Sequence, residues 1–392
     1  VSGPASDPAS DAARVAIVGA GPQGLTVAVY LVAAGVDPAD LVVIDPAGDW
    51  LVQWRRRFAA LGIEHLRSPS VHHPHPDPYG LSKFAAEQRR GDELHHRYGL
   101  PSTALFHDFC DRVIAEQRLS GLVRSDTVVS ISASGEVRLA SGEPLTADHV
   151  VWATNPAVAS PVGGCVPGGS TERPPSPPNG STVAVIGGGL TAAHVVARAV
   201  DAGAHVEWVT RRPIVEREFD TDPGWLGPLE MQGFARIADR AERLQRVIDA
   251  RGGGTVPPWM MQRLRPAERS GQICRRVGTV EVDGAGDQVH VLVDGRRVVA
   301  DVVWDATGDR PCVSAAPPLE RLCDELGVVR HGGRPEVDRM LRLPGSVVHV
   351  AGRLAQLELG PTAGNLAGAR RAAELVVGAV VGADAMYALA GA

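Results

Sequence analysis

Arg14–Ala34 reads RVAIVGAGPQGLTVAVYLVAA, and this stretch decides the fold. Val15–Val18 is an apolar run that predicts a strand. Gly19-Ala20-Gly21-Pro22-Gln23-Gly24 predicts a tight turn, and the apolar residues beyond it a helix that stops at Gly35. The spacing has a physical reason. Gly19 lets the chain turn sharply off the strand, Gly21 lets a pyrophosphate approach the backbone, and Gly24 lets the helix lie close on the strand. Pro22 belongs to the turn that holds the dinucleotide, and the N-terminus of the helix beyond offers free N–H groups and a partial positive charge that suit phosphates. A second strand, Leu41–Ile44, ends in Asp45, an acid placed to bind ribose hydroxyls.

Outward from this unit, composition sets the bounds. The 392 residues suffice for two or three domains, with 44% hydrophobic and 21% charged residues, as in ordinary globular chains. A net charge of −6 argues against a broad nucleic-acid face. Lys83 is the only lysine, which disfavours Schiff-base and P-loop chemistry. Cys110, Cys165, Cys274, Cys312 and Cys323 form no C-x-x-C and have no zinc-finger spacing, so free thiols, a cytoplasmic location and no metal are expected. No apolar run reaches the roughly 18 residues needed to span a bilayer. Residues 1–13 read as a disordered leader.

Prolines between Pro69 and Pro78 forbid regular structure there, so the segment after Asp45 carries a long ordered loop. Ser102 is an N-cap for a helix to about Leu119 with Leu105, Phe109 and Val113 buried. Thr127–Thr154 read as three strands with turns at Ser134-Gly135 and Ser141-Gly142. Residues 156–180, rich in Pro, Gly and Ser, form a linker without secondary structure.

A second unit opens at Thr182, TVAVIGGGLTAAHVVARAVDAGAHVEWVTRR. Gly187 and Gly189 repeat the glycine spacing, Ala192 takes the third place, and Thr191 lies between them. The next strand ends in Arg211-Arg212 instead of an acid. Guanidinium groups there suit a 2′-phosphate, so the second ligand is read as NADPH. Residues 213–269 are a helical insert, with a charged helix near Phe234–Ala250 and with Trp225, Trp259 and Met260 as a candidate substrate lid. A meander follows around Gly278–Trp304. DHVVWATN (148–155) and ADVVWDATG (300–308) end alike, each closing a nucleotide unit. The chain then returns to the first unit, which is read as binding FAD. Gly360-Pro361-Thr362-Ala363-Gly364-Asn365 would set a helix N-terminus beside the flavin.

These features resemble the two-dinucleotide-fold flavoproteins, and within them the lysine and ornithine N-monooxygenases of siderophore synthesis. The resemblance rests on GAGPQGLTVAV (19–29), Trp50 and Trp54, HPDPYGLSKFA (75–85), GGGLTAAHVVA (187–197), the arginines at 211–212, and the ATN and ATG crossings. It implies two Rossmann-like, three-layer ββα domains. The FAD domain would be discontinuous (14–155 and 300–392), with the NADPH domain (181–299) inserted. It also implies FAD contacts from Trp54 and Thr154, and a loop Arg67–Pro78 at the flavin edge with Arg67, His73 and His75 as candidate catalytic groups. The implied reaction is hydroxylation of an amine nitrogen through a C4a-peroxyflavin. His72, His73, His75 and Asp77 have three competing readings: a metal cluster, a proline-braced loop bonded to backbone, or a role at the flavin or substrate with His73 or His75 relaying protons. The family's substrate motif N-E-x-F-N-P is replaced by EREFDTDPGWLGP (216–228), and its H-G-L-S/T-D turn by LGPTAGNLAG (359–368). Lysine or ornithine is therefore not carried over. Expected partners are a small-molecule substrate, with an amine favoured, and O2. Neither nucleic acid nor membrane is expected, and a homo-oligomer is left open. The rival readings are a flavin reductase without oxygen transfer and a non-catalytic FAD/NADPH module.

Overall fold

The computed structural model describes residues 11–159, 166–167, 177–285 and 288–384. The first unit begins with β1 (Asp11–Val18), α1 (Pro22–Ala33) and β2 (Leu41–Ile44). It continues through α2 (Val52–Leu61), α3 (Gly80–Glu87) and α4 (Thr103–Glu116). Then come β3 (Val123–Arg124), β4 (Val128–Ile131), β5 (Glu136–Leu139) and β6 (Pro144–Trp152). β1 starts inside the segment expected to be a leader, because Asp11, Ala12 and Ala13 continue the parallel pairing with Leu145–Ala147. Residues 1–10 lie outside the described residues.

The second unit holds β7 (Thr182–Ile186), α5 (Leu190–Asp201) and β8 (His205–Thr210). The insert follows with α6 (Pro228–Arg236), α7 (Arg240–Arg251) and α8 (Pro258–Arg269). The expected single helix near Phe234–Ala250 is two helices, because Asp239 caps a new start, its carboxylate accepting from Ala241 N and Glu242 N. β9 (Ile273–Val277) and β10 (Val302–Asp305) complete this unit's sheet. The chain returns to the first unit through α9 (Pro317–Glu325), β11 (Val348–Val350) and α10 (Leu366–Val380).

The first sheet runs β3-β2-β1-β6-β5-β4, with β11 also paired to β6. β1, β2, β3, β6 and β11 pair in parallel, with Val15 opposite both Leu41 and His149. β4, β5 and β6 form the expected antiparallel meander. Helix α1 is buried along most of its length, on β1 and against α10. The second sheet is parallel throughout, in the order Val166–Pro167, β10, β7, β8, β9.

Three expectations about the crossings change. The linker carries strands: Ala157–Ala159 pairs with Asp309–Pro311, and Val166–Pro167 pairs with β10. Val302–Asp305 leaves the meander of Val280–Val298 and pairs in the second sheet. Part of the expected turn at 283–287 lies outside the described residues. Of the expected strand Ser346–Gly352, only Val348–Val350 pairs. Among the described residues no helix is long and apolar enough to cross a membrane.

Candidate functional site

Each glycine turn is shaped as its sequence requires. Gly19 has φ +106°, and a Cβ there would lie 2.9 Å from Thr154 Cγ2. A Cβ on Gly24 would collide with Gly19 O, whereas one on Gly21 would meet nothing within 4 Å. Gly21 therefore faces open space at the α1 N-terminus, a cradle that fits the phosphates of a dinucleotide. Gln23 is buried beside it, its amide donating to Ala363 O and Asn365 O at 3.3 Å. Gln23 Oε1 is buried without a partner, an acceptor suited to a ligand hydroxyl or N–H. These features fit FAD in the first unit.

Asp45 supports that turn directly. Its carboxylate accepts from Ala20 N and Ala47 N, both at 2.9 Å. Trp54, expected at the cofactor, has its ring against Phe58, Phe106 and His107 at the α2–α4 interface, which is a packing position. The C-terminal turn divides. Gly360, Pro361 and Thr362 are buried, and a Cβ on Gly360 would lie 3.1 Å from Met231 Sδ of the insert. Arg353 lies against Gly364, and Asn365 caps α10, accepting from Gly368 N at 2.9 Å.

One large cavity, about 1590 Å³, opens between the units. Gly187, Gly189, Thr191 and Arg211-Arg212 of the second unit line it, and so does Asn365 from the first. Ala192 is buried within α5 and does not line it. The first glycine turn does not border it either. Arg211 is exposed on the wall, while Arg212 donates to Gly252 O.

The proline-rich loop places its histidines differently from expectation. His73 and His75 do not line the cavity. Their rings pack edge-on to Phe109 in the first unit, and Nδ1 of each accepts from a backbone N–H two residues on. Burial pushes His73 down to about 4, so it is neutral at ordinary pH. The braced-loop reading describes this geometry, and among the described residues no group of three His, Cys, Asp or Glu could hold a metal ion. His72 is the histidine on the cavity wall. Burial lowers its pKa, with Asp220 close enough to oppose that shift. The alternation of histidine with proline does not reveal which ring turns outward, so sequence reasoning missed it.

Arg67 lines the cavity, but its guanidinium is committed to the insert. It donates to Glu218 O at 2.8 Å, Arg217 O at 2.6 Å, and Thr255 Oγ1 at 3.0 Å. Burial pushes it down to about 10, which leaves it cationic at neutral pH. It is a clamp between the two units. Trp225 and Met260, expected as a lid, are buried in their own subdomains. Trp259 is partly buried, its ring tilted against His65 with centroids 4.2 Å apart. None of the three lines the cavity. Asp220 and Thr221 do, and Asp220 pairs with Arg251 at 3.3 Å, which also donates to Pro361 O at 3.0 Å.

Residues 13–224, just over half of the chain, match the family model of pyridine nucleotide-disulphide oxidoreductases. The chain belongs to that family. This oxidoreductase has FAD and a pyridine nucleotide as its cofactors. No curated protein matches it by sequence. Its fold is similar to the ornithine N-hydroxylase of Kutzneria sp. 744, solved with reduced FAD, NADP+ and L-ornithine. The TM-score is 0.74 at 17% identity, over 94% of this chain and 99% of that one. The reduced ornithine hydroxylase of Pseudomonas aeruginosa gives 0.73 at 18% identity, covering 94% and 98%. The bacillithiol disulfide reductase of Bacillus cereus gives 0.59 at 19% identity, covering 94% and 99%. These likenesses support the two-domain fold read from the sequence.

Proposed function

We propose that this oxidoreductase is an NADPH-consuming, FAD-dependent monooxygenase that hydroxylates the amine nitrogen of a small molecule. The observation that carries this reading is the cavity wall shared by His72, Asp220 and Thr221, with Asn365 bordering the same cavity. A carboxylate there attracts an ammonium group. The neutral imidazole of His72 accepts its proton, leaving the nitrogen lone pair free to attack. Arg251 holds Asp220 against the Pro361 carbonyl and so fixes the acid relative to the C-terminal turn. Thr221, buried on the wall, offers a hydroxyl for orientation. Bound FAD would supply hydride acceptance and oxygen activation. The chain's task is then to position the amine and to exclude water, and the walls contributed by both units and the insert suit it.

Arg211 is the residue proposed to read the 2′-phosphate of NADPH, because it is exposed on the wall at the end of β8. Among the described residues, which do not include Cys165, the cysteines Cys110, Cys274, Cys312 and Cys323 are free and none lines the cavity, which favours oxygen transfer over disulfide exchange. A reductase is the second reading, supported by the likeness to a disulfide reductase. The test is anaerobic reduction of the FAD-loaded protein by NADPH, followed by mixing with isotopically labelled O2 and a panel of diamines and amino acids. The expected result is labelled oxygen in an N-hydroxylated product. NADPH oxidation that yields only hydrogen peroxide with every amine would leave the reductase reading.

A further inference from the structure

The insert sends a triple-glycine segment, Gly252-Gly253-Gly254, onto the second dinucleotide turn. Gly252 closes α7 with φ +59°, and Gly253 follows at φ +77°. Two consecutive positive φ values drive the chain back across the cavity, a path that L side chains rarely adopt. Gly254 then rests on the turn itself. A Cβ on Gly254 would lie 2.6 Å from Gly189 Cα and 2.8 Å from Gly189 N. In the other direction, a Cβ on Gly189 would lie 3.3 Å from Gly254 Cα. Gly189 is the glycine at which the backbone must approach a pyrophosphate. The segment is held down by Arg212, which donates to Gly252 O, and whose guanidinium lies where a Cβ on Gly253 would be.

We propose that Gly252–Gly254 is a latch over the pyridine-nucleotide site, and that Arg212 keeps it closed until a 2′-phosphate draws the guanidinium away. This rests on the NADPH reading above. A dinucleotide without the 2′-phosphate must displace the glycines unaided, so the latch acts as a selector for NADPH beyond direct contact. Arg211, which is not tied to the flap, contributes direct contact alone. The flap is also joined to the rest of the site. Arg251, just before it, donates to Pro361 O, and Thr255, just after it, accepts from Arg67. Opening the flap therefore pulls on both the C-terminal turn and the Arg67 clamp.

The test is titration of the FAD-loaded protein with NAD+ and with NADP+, comparing wild type, Arg211→Ala and Arg212→Met. Arg212 is exposed, so its replacement leaves the core untouched. The latch predicts that Arg212→Met tightens NAD+ binding by about two- to tenfold, the range for one hydrogen bond, while weakening NADP+. Arg211→Ala weakens NADP+ and leaves NAD+ as it was. Gly254→Ala, which cannot seat against Gly189, is the second variant and tightens NAD+ in the same way. Unchanged or weakened NAD+ binding in Arg212→Met would overturn the latch while the NADPH reading stands on Arg211→Ala. Equal affinities of the wild type for NAD+ and NADP+ would overturn both.

Discussion

Two glycines of one turn make opposite predictions because their surroundings differ. Gly21 faces open space, so Gly21→Val sets its Cβ, which would meet nothing within 4 Å, into the volume expected for the cofactor. The expected product is a folded protein that does not retain FAD, checked by flavin absorbance together with an unchanged melting temperature. Gly24 lies against Gly19 O, so Gly24→Ala forces helix and strand apart, a loss of about 1–3 kcal/mol. Here the melting temperature itself falls. At the other unit, Arg211→Ala should weaken NADPH by about tenfold or more and NADH little, as for loss of a charge-assisted contact. Equal weakening of both coenzymes would remove Arg211 from the phosphate site. The glycine and arginine positions were legible because backbone clearance and terminal charge are local properties. The neutral histidine of the site was not, since exposure decides between His72 and His73 and neighbouring residues in sequence do not.

At the scale of elements, the insert is a structural partner of the first unit as well as a wall of the cavity. Arg243 pairs with Glu358 at 3.0 Å and donates to Leu357 O at 2.9 Å, and Arg240 pairs with the same carboxylate. Met231 and Trp225 pack on Gly360. Arg67 reaches in the opposite direction, from the first unit to the insert's backbone. Its truncation leaves the partly buried carbonyls of Arg217 and Glu218 without that donor. Arg67→Met should therefore cost about 2–3 kcal/mol and loosen the insert. Hydrogen exchange should rise at 215–220 and 255–256, whereas a change confined to catalysis would point to a chemical role for Arg67. Alternation and capping made α4 and the β4–β6 meander readable from sequence. The split into α6 and α7, and the passage of Val302–Asp305 into the second sheet, depend on partners far along the chain.

For the whole molecule, pH sets stability through buried imidazoles. Burial pushes His73, His194 and His349 each to about 4. In the unfolded chain they titrate near 6.5. Between these values the unfolded state binds more protons, so stability is full above pH 6.5 and falls as pH drops toward 4. The melting temperature should decline between pH 6.5 and 5, before carboxylates titrate. His349 donates to or accepts from His149 at 3.2 Å and bonds Met340 O at 2.8 Å, so His349→Gln should reduce that decline. A flat profile in this window would mean these rings are not held neutral.

The two strand–turn–helix units, the acid and the arginine pair that follow their second strands, and the C-terminal return are all written in the order of residues. Each is fixed within a few residues by glycine clearance, hydrophobic period and helix-end charge. Which side chains share the cavity depends on the packed fold. His72, Asp220 and the continuous stretch Arg251–Gly254 come from three separate segments, and their meeting is set by how the two sheets and the insert bury their apolar faces. That packing buries His73 and sets the partly buried His75 and Trp54 against aromatic neighbours, where local pattern could not foresee it.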